Sequence, residues 1–224
     1  MDEYGIALWD GAGNPRGGAI RRDALEQLVD RHVAVLFDLD GTLVDTMPLH
    51  YQAYAEVFAQ RGLQLSEPDF MAMIGEPARK AIPRFLAAAG VMTATADDVM
   101  AIHAQKKQAF DRCLSSSRLR PLPAVALLEL ARGRKKLGLV SSGNRQGVVS
   151  LLSAMGWANV FDVVISGDDV TRGKPDPEPY LAAASSLDVD PSECLVLEDT
   201  EAGLAAGVAA GMKVLDVTRL TIVE

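Results

Sequence analysis

The sequence predicts a doubly wound, Rossmann-like α/β core built on a parallel sheet, with an all-helical domain inserted after the first strand. Three observations predict it. Short β-branched or aliphatic runs recur at 33–37, 137–140, 163–166, 195–197 and 214–217, each short enough to be a buried strand. Helical patterns lie between most of them, the alternation of a parallel sheet covered on both faces by right-handed crossovers. One interval, 47–117, breaks the alternation and carries helical patterns alone.

The elements follow in order. Residues 1–32 stand apart as an extension of unknown role: an apolar run at Ile6 to Trp9, a turn through Gly11, Gly13 and Asn14, then a helical stretch over 22–29. They read as a short hairpin and a helix packed on the core. The core itself is expected over 33–46 and 118–224, with helices over 146–155 and 202–210 stopping before Gly156 and Gly211. In the insertion, Leu49, Tyr54, Val57 and Phe58 share one helical face, and Ile82, Phe85, Leu86 and Ala89 share another. A third helix is expected over 96–113.

Composition bounds the function. At 224 residues, 49% hydrophobic and 23% charged, the chain can bury a substantial core, as ordinary globular proteins do. A net charge of −8 and a pI near 4.9 argue against nucleic acid as a partner, because that affinity comes from lysines and arginines neutralising phosphates. Any anionic substrate must be held by local cations or a metal. The first residues lack a basic stretch followed by an apolar run, and no apolar stretch is long enough for a bilayer, so neither secretion nor a membrane partner is expected. Cys113 and Cys194 match no disulfide framework or paired metal-ligand spacing and read as reduced thiols. A cytoplasmic monomer is the expectation.

Four polar signals follow apolar runs, where ligands of open α/β sheets bind. The first is Asp38-Leu39-Asp40-Gly41-Thr42: two carboxylates at alternate positions beyond a strand are costly unless a cation compensates them. The second is Ser141-Ser142-Gly143-Asn144, which offers a hydroxyl and backbone N–H groups to an anion, or equally caps a helix. Lys174, in a stiff loop bounded by Pro175 and Pro177, offers a point charge suited to phosphate, with an ordinary solvated lysine as the rival reading. Glu198 and Asp199 offer oxygen ligands of the kind magnesium takes, with capping of a helix near Thr200 as the rival reading.

In this order, the four signals resemble the haloacid dehalogenase-like superfamily, and within it the branch of β-phosphoglucomutase-like proteins and sugar-phosphate phosphatases. The resemblance covers about 33–217. It implies that Asp38 is a nucleophile that becomes an aspartyl-phosphate and that Asp40 is the acid and base serving the leaving group. It implies Mg2+ held by Asp38, the Asp40 carbonyl and Asp199, with Glu198 acting through water, and phosphoryl oxygens met by Lys174 and Ser141. The second aspartate favours phosphoryl transfer over carbon–halogen chemistry. The helical insertion resembles the branch's cap, which closes over the site. Expected substrate contacts are Gly41, Thr42, Asp45, His50, Arg79, Ser142, Gly143 and Asn144, whereas Lys106 and Lys107 read as a solvated helix face. The implied activity is hydrolysis of a small phosphorylated metabolite such as a sugar phosphate. A phosphosugar mutase shares every core residue, and a non-catalytic phospholigand sensor is the more distant alternative.

Overall fold

The computed structural model describes residues 19–74, 76 and 78–223, so the expected hairpin near Gly11 to Asn14 lies outside the described residues. In chain order the elements are β1 (Ala19–Arg21), α1 (Arg22–Asp30), β2 (Ala34–Phe37), β3 (Val44–Asp45), α2 (Met47–Ala59), α3 (Glu67–Met71), α4 (Ala78–Ala88) and α5 (Ala96–Ser116). There follow β4 (Arg120–Pro121), α6 (Val125–Ala131), β5 (Lys136–Val140), α7 (Arg145–Ala154), β6 (Val163–Ile165), α8 (Glu178–Leu187), β7 (Cys194–Glu198), α9 (Glu201–Ala209), β8 (Lys213–Asp216) and β9 (Thr221–Val223). Packing divides the described residues into two units, one holding 19–45 together with 120–223, the other running from Thr46 to Leu119.

The first unit is the expected α/β core. Five parallel strands lie in the order β6-β5-β2-β7-β8. The chain winds outward from β2 through β5 to β6, then returns to β2's other side for β7 and β8. The carboxyl end of β2 is therefore the topological switch point, where the crossovers diverge and leave a crevice. β2 and β7 are buried along their whole length, as strands covered on both faces must be. Phe37 pairs with Leu139 on one side and Leu197 on the other. This register brings Asp38, Val140 and Glu198 to one level.

Side-chain caps set the helix starts nearest that level. Asn144 accepts from Gly147 N at 2.7 Å to open α7, and Thr200 accepts from Gly203 N at 3.1 Å to open α9. Two short pairings were not visible as sequence patterns: β3 with β4, and a parallel pair of β1 with β9 that joins the described ends of the chain.

In the second unit, α2, α3, α4 and α5 carry the apolar faces expected there. Tyr54, Phe58, Phe70 and Phe85 form a chain of aromatic contacts with centroids 5.1 to 6.4 Å apart. Thr95 and Asp98 form a capping box at the start of α5. No helix among the described residues is long and apolar enough to cross a membrane. Both cysteines are buried and free.

The helix of the N-terminal extension belongs to the core physically: Leu25, Leu28 and Val29 of α1 are buried, and α1 packs against α6. Leu25→Ala should therefore destabilise the protein by about 2–4 kcal/mol, the cost of a large-to-small change at a closed site. Urea denaturation measures it; a loss under about 0.5 kcal/mol, typical of a surface position, would detach α1 from the core.

Candidate active site

The crevice at the end of β2 gathers the expected residues Asp38, Asp40, Gly41, Thr42, Ser141, Lys174, Glu198 and Asp199. Asp38 leaves the strand with its N–H bonded to Leu197 O at 3.0 Å, so β7 holds its backbone in place. Its side chain is buried and meets Lys174, whose Nζ donates to Asp38 Oδ1 at 2.7 Å, Glu198 Oε1 at 2.6 Å and Val140 O at 2.9 Å. An ammonium carries three donors, and these contacts use all three. The Lys174 side chain is only 5% exposed. Burial alone would lower its pKa, but Asp38 and Glu198 together hold it well above the ordinary value.

Glu198, the last residue of β7, is 1% exposed. Its Oε2 accepts from Asp199 N, Thr200 N and Thr200 Oγ1 at 2.9 to 3.0 Å. Its Oε1 accepts from Lys174 and, at 3.1 Å, from the Tyr180 hydroxyl. A Cβ at position 203 would lie 1.8 Å from Oε1, so this carboxylate occupies space that only a glycine leaves open. Burial opposes its charge, but Lys174 and the Thr200 bonds outweigh that and hold its pKa below the ordinary value.

Asp199 turns the other way. Thr42, expected among the substrate contacts, donates its hydroxyl to Asp199 Oδ1 at 2.7 Å. Gly41 has φ +88°, and a Cβ there would come within 2.3 Å of Asp199 Oδ2. Thus the Gly41-Thr42 turn seats the second carboxylate after β7. Asp38, Glu198 and Asp199 each offer an oxygen within 4.8 Å of the others, a cluster able to hold a metal ion. Burial pushes the Asp38 pKa well up, and burial with the Glu198 charge pushes Asp199 up to about 7. Carboxylates that resist ionisation this way lack positive charge, which a divalent cation is able to supply.

On the side of β5, Ser141 is buried; its Oγ accepts from Gly143 N at 3.0 Å and donates to Asp40 Oδ2 at 3.4 Å. Asn144 turns its oxygen to its own helix, realising the capping alternative, while Ser142 is exposed. Asp45 pairs with Arg120 across β3 and β4.

The remaining candidates lie in the helical unit. Arg79 is exposed near the start of α4, and Gly75 and Pro77 beside it lie outside the described residues. His50 stacks on Phe110 with centroids 4.5 Å apart, and its Nδ1 lies 2.6 Å from Lys106 Nζ. Lys106 is thus half-buried over the rings of Tyr54 and Phe110, against the sequence expectation of a solvated lysine. Phe110, one helical turn beyond it, provides the cover. Sequence reasoning missed Tyr180 and Gly203 altogether. The apolar spacing of Tyr180, Ala183, Ala184 and Leu187 marks α8's buried face but does not tell that the phenol reaches Glu198.

A hydrolase of the α/β type, with its acidic cluster and one buried lysine at the switch point, is the class these features define. The sequence pattern of the haloacid dehalogenase-like hydrolases matches residues 35–217, and the chain belongs to that family. The fructose-1-phosphate phosphatase YqaB of Escherichia coli is 33% identical over 195 residues, covering 86% of this chain and 100% of its own length. The β-phosphoglucomutase of Bacillus subtilis is 30% identical over 186 residues, covering 80% of each chain. The crystal structure of CbbY from Rhodobacter sphaeroides in complex with phosphate superposes with a TM-score of 0.70 at 29% identity, covering 82% of this chain and 84% of that one. The branch of sugar-phosphate phosphatases and β-phosphoglucomutase-like proteins is the one to which the chain is related, and phosphoric monoester hydrolysis is its enzyme class.

Asp199 binds its proton far more tightly in the folded chain, at about 7 against an ordinary 3.8. Between those values the folded state holds more protons than the unfolded one, so stability contributed by this group falls as pH rises through the window. In chelator, the melting temperature should therefore drop from about pH 5 to about pH 7.5, and a divalent cation should raise it again at the upper pH. Asp199→Asn should shrink both effects in thermal melts; a variant with the full wild-type pH slope and cation response would take Asp199 out of the cluster.

Proposed function

We propose that the protein is a Mg2+-dependent phosphatase that hydrolyses a small sugar phosphate through an aspartyl-phosphate on Asp38. The observation that carries this reading is the buried Lys174 bridging Asp38 and Glu198 at the strand ends, beside a second carboxylate pair partner in Asp199. Asp38 is the only one of the cluster's carboxylates on the central strand's exit, where a phosphoryl group entering the crevice arrives.

The donor set fits magnesium, a hard cation taking carboxylate and carbonyl oxygens, and Asp38, the Asp40 carbonyl and Asp199 would hold it with Glu198 beside them. Bound there, it offsets the repulsion between a carboxylate nucleophile and a phosphate dianion, about 4 kcal/mol per charge pair at 4 Å in a medium of effective dielectric near 20. Asp38 attacks phosphorus and the ester oxygen leaves. As the phosphoryl group enters, the Lys174 N–H that Asp38 accepts in the free site passes to one equatorial phosphoryl oxygen and the Ser141 hydroxyl turns to another, where charge builds in the transition state. Asp40 gives a proton to the departing alkoxide, then takes one from the water that cleaves the acyl phosphate. Before substrate enters, Ser141 donates to Asp40 and holds that carboxyl in place.

The reading is tested on a panel of phosphorylated sugars with and without Mg2+, including β-glucose 1-phosphate with glucose 1,6-bisphosphate. Release of inorganic phosphate is the expected result. Isomerised sugar without phosphate release would make the chain a mutase, as the Bacillus subtilis relative is named. Asp38→Asn should lower kcat by on the order of a thousandfold with circular dichroism unchanged, and retention of a tenth of the rate would exclude a covalent role. Asp40→Asn should slow hydrolysis and leave a longer-lived phosphoenzyme, seen by acid quench. For the helical unit, Arg79→Ala should cost about tenfold in kcat/KM on the preferred sugar phosphate and far less on acetyl phosphate.

A further inference from the structure

A wholly buried tyrosine under the active-site lysine has no part in the mechanism above. Tyr180, the third residue of α8, is 0% exposed and sits in the apolar cluster formed with Leu36, Ala183 and Val196. Phenylalanine would fill the same volume without burying a hydroxyl, and a buried hydroxyl costs free energy unless it is bonded. Here the hydroxyl donates to Glu198 Oε1 at 3.1 Å, the oxygen that also takes Lys174 Nζ at 2.6 Å. The same ring lies beneath the ammonium, with Nζ 5.0 Å from its centroid.

We propose that Tyr180 is a positioning residue: its hydroxyl locks the Glu198 carboxylate toward Lys174, and its ring sets how deep the ammonium sits, so that Lys174 is aimed at the transferring phosphoryl group. Glu198 stands within reach of Asp38 and Asp199, and a glutamate at a strand end has rotamers that would carry it toward them. Three devices hold it away. The N–H groups of Asp199 and Thr200 with the Thr200 hydroxyl grip Oε2, the space beside Gly203 receives the carboxylate, and Tyr180 takes Oε1 from below. Of the three devices, the tyrosine is the one that also contacts Lys174. Removing its hydroxyl frees Oε1 to follow the strand end, and Lys174 loses a fixed partner without losing its charge.

This inference rests on the phosphoryl-transfer reading above, and its test separates the two. Tyr180→Phe keeps the ring and removes the hydroxyl; Tyr180→Leu removes both. With the wild type as the reference, Y180F should lower kcat/KM about tenfold, and Y180L should lower it further. In a Glu198→Gln background, where the charged acceptor is gone, Y180F should cost less than twofold, because positioning through one shared group is not additive. Thermal melts guard against a folding defect. A second readout needs no turnover: binding of inorganic phosphate to the magnesium-loaded protein, by calorimetry, should weaken fivefold or more in Y180F. Wild-type kcat and phosphate affinity in Y180F overturn the inference and leave the function standing, as do losses that multiply in the Y180F/E198Q double variant. A wild type inactive on every ester that still loses phosphate affinity on Y180F overturns the function and keeps the inference.

Discussion

The Lys174 ammonium is the contact on which the site depends. An ammonium withdrawn from water loses several kcal/mol of solvation that only close partners return. Asp38, Glu198 and the Val140 carbonyl provide them, and each comes from the end of a different neighbouring strand. The arrangement therefore exists only if β5, β2 and β7 end at one level, which their pairing register secures. Fold and site constrain each other here: a slip in the sheet would leave a buried charge unpaired, the most destabilising fault a core can have.

The lysine satisfies only part of the charge around it. Asp38, Asp40, Glu198 and Asp199 are four carboxylates against one ammonium, and the imbalance falls unevenly. Glu198 lies nearest the donors and keeps its charge easily, whereas Asp38 and Asp199 are driven toward their neutral forms. Gly41 and Thr42 direct Asp199 to the side away from Lys174's grip on Glu198. The site is in effect divided, with one carboxylate tied to the lysine and two left short of positive charge. That division matches what phosphoryl transfer asks for: a fixed cation for the phosphoryl oxygens and a second, exchangeable one beside the nucleophile.

Much of this was legible in the sequence, for physical reasons that also mark where it stopped being so. Buried parallel strands announce themselves as apolar runs, and polar residues placed immediately after them have few reasons to be there other than chemistry; Asp38, Ser141, Glu198 and Asp199 were found that way. The division of labour was not legible, because it depends on contacts such as Lys174 with Asp38, 136 residues apart. Thr42 and Asn144 show the same limit. Their residue types allow either a substrate contact or an internal bond, and the position of Asp199 decides it for Thr42 as that of Gly147 does for Asn144. Lys106 reads as solvent-facing by its charged neighbours, yet Phe110 one turn on and His50 from α2 cover it. Three-residue strands such as β1 and β9 carry too little pattern to be seen before they pair.

An acidic protein that takes an anionic substrate poses an apparent contradiction, which length scale resolves. The net charge of −8 acts through solvent, where interactions beyond about 8–10 Å are screened at physiological ionic strength. The buried set acts over bond distances in a medium that screens far less. Long-range attraction thus contributes little to substrate capture, and on the proposed function affinity for the phosphoryl group would fall to Lys174, the N–H groups near Ser141 and a cation at Asp38 and Asp199. A site organised this way discriminates by geometry rather than by charge alone: an anion that cannot bring one oxygen to the lysine and another to the cation at the same time meets the carboxylates left short of positive charge. On the proposed function, the acidity that weakens general anion binding is consequently a source of selectivity, and it would tie activity to the cation more tightly than a basic crevice.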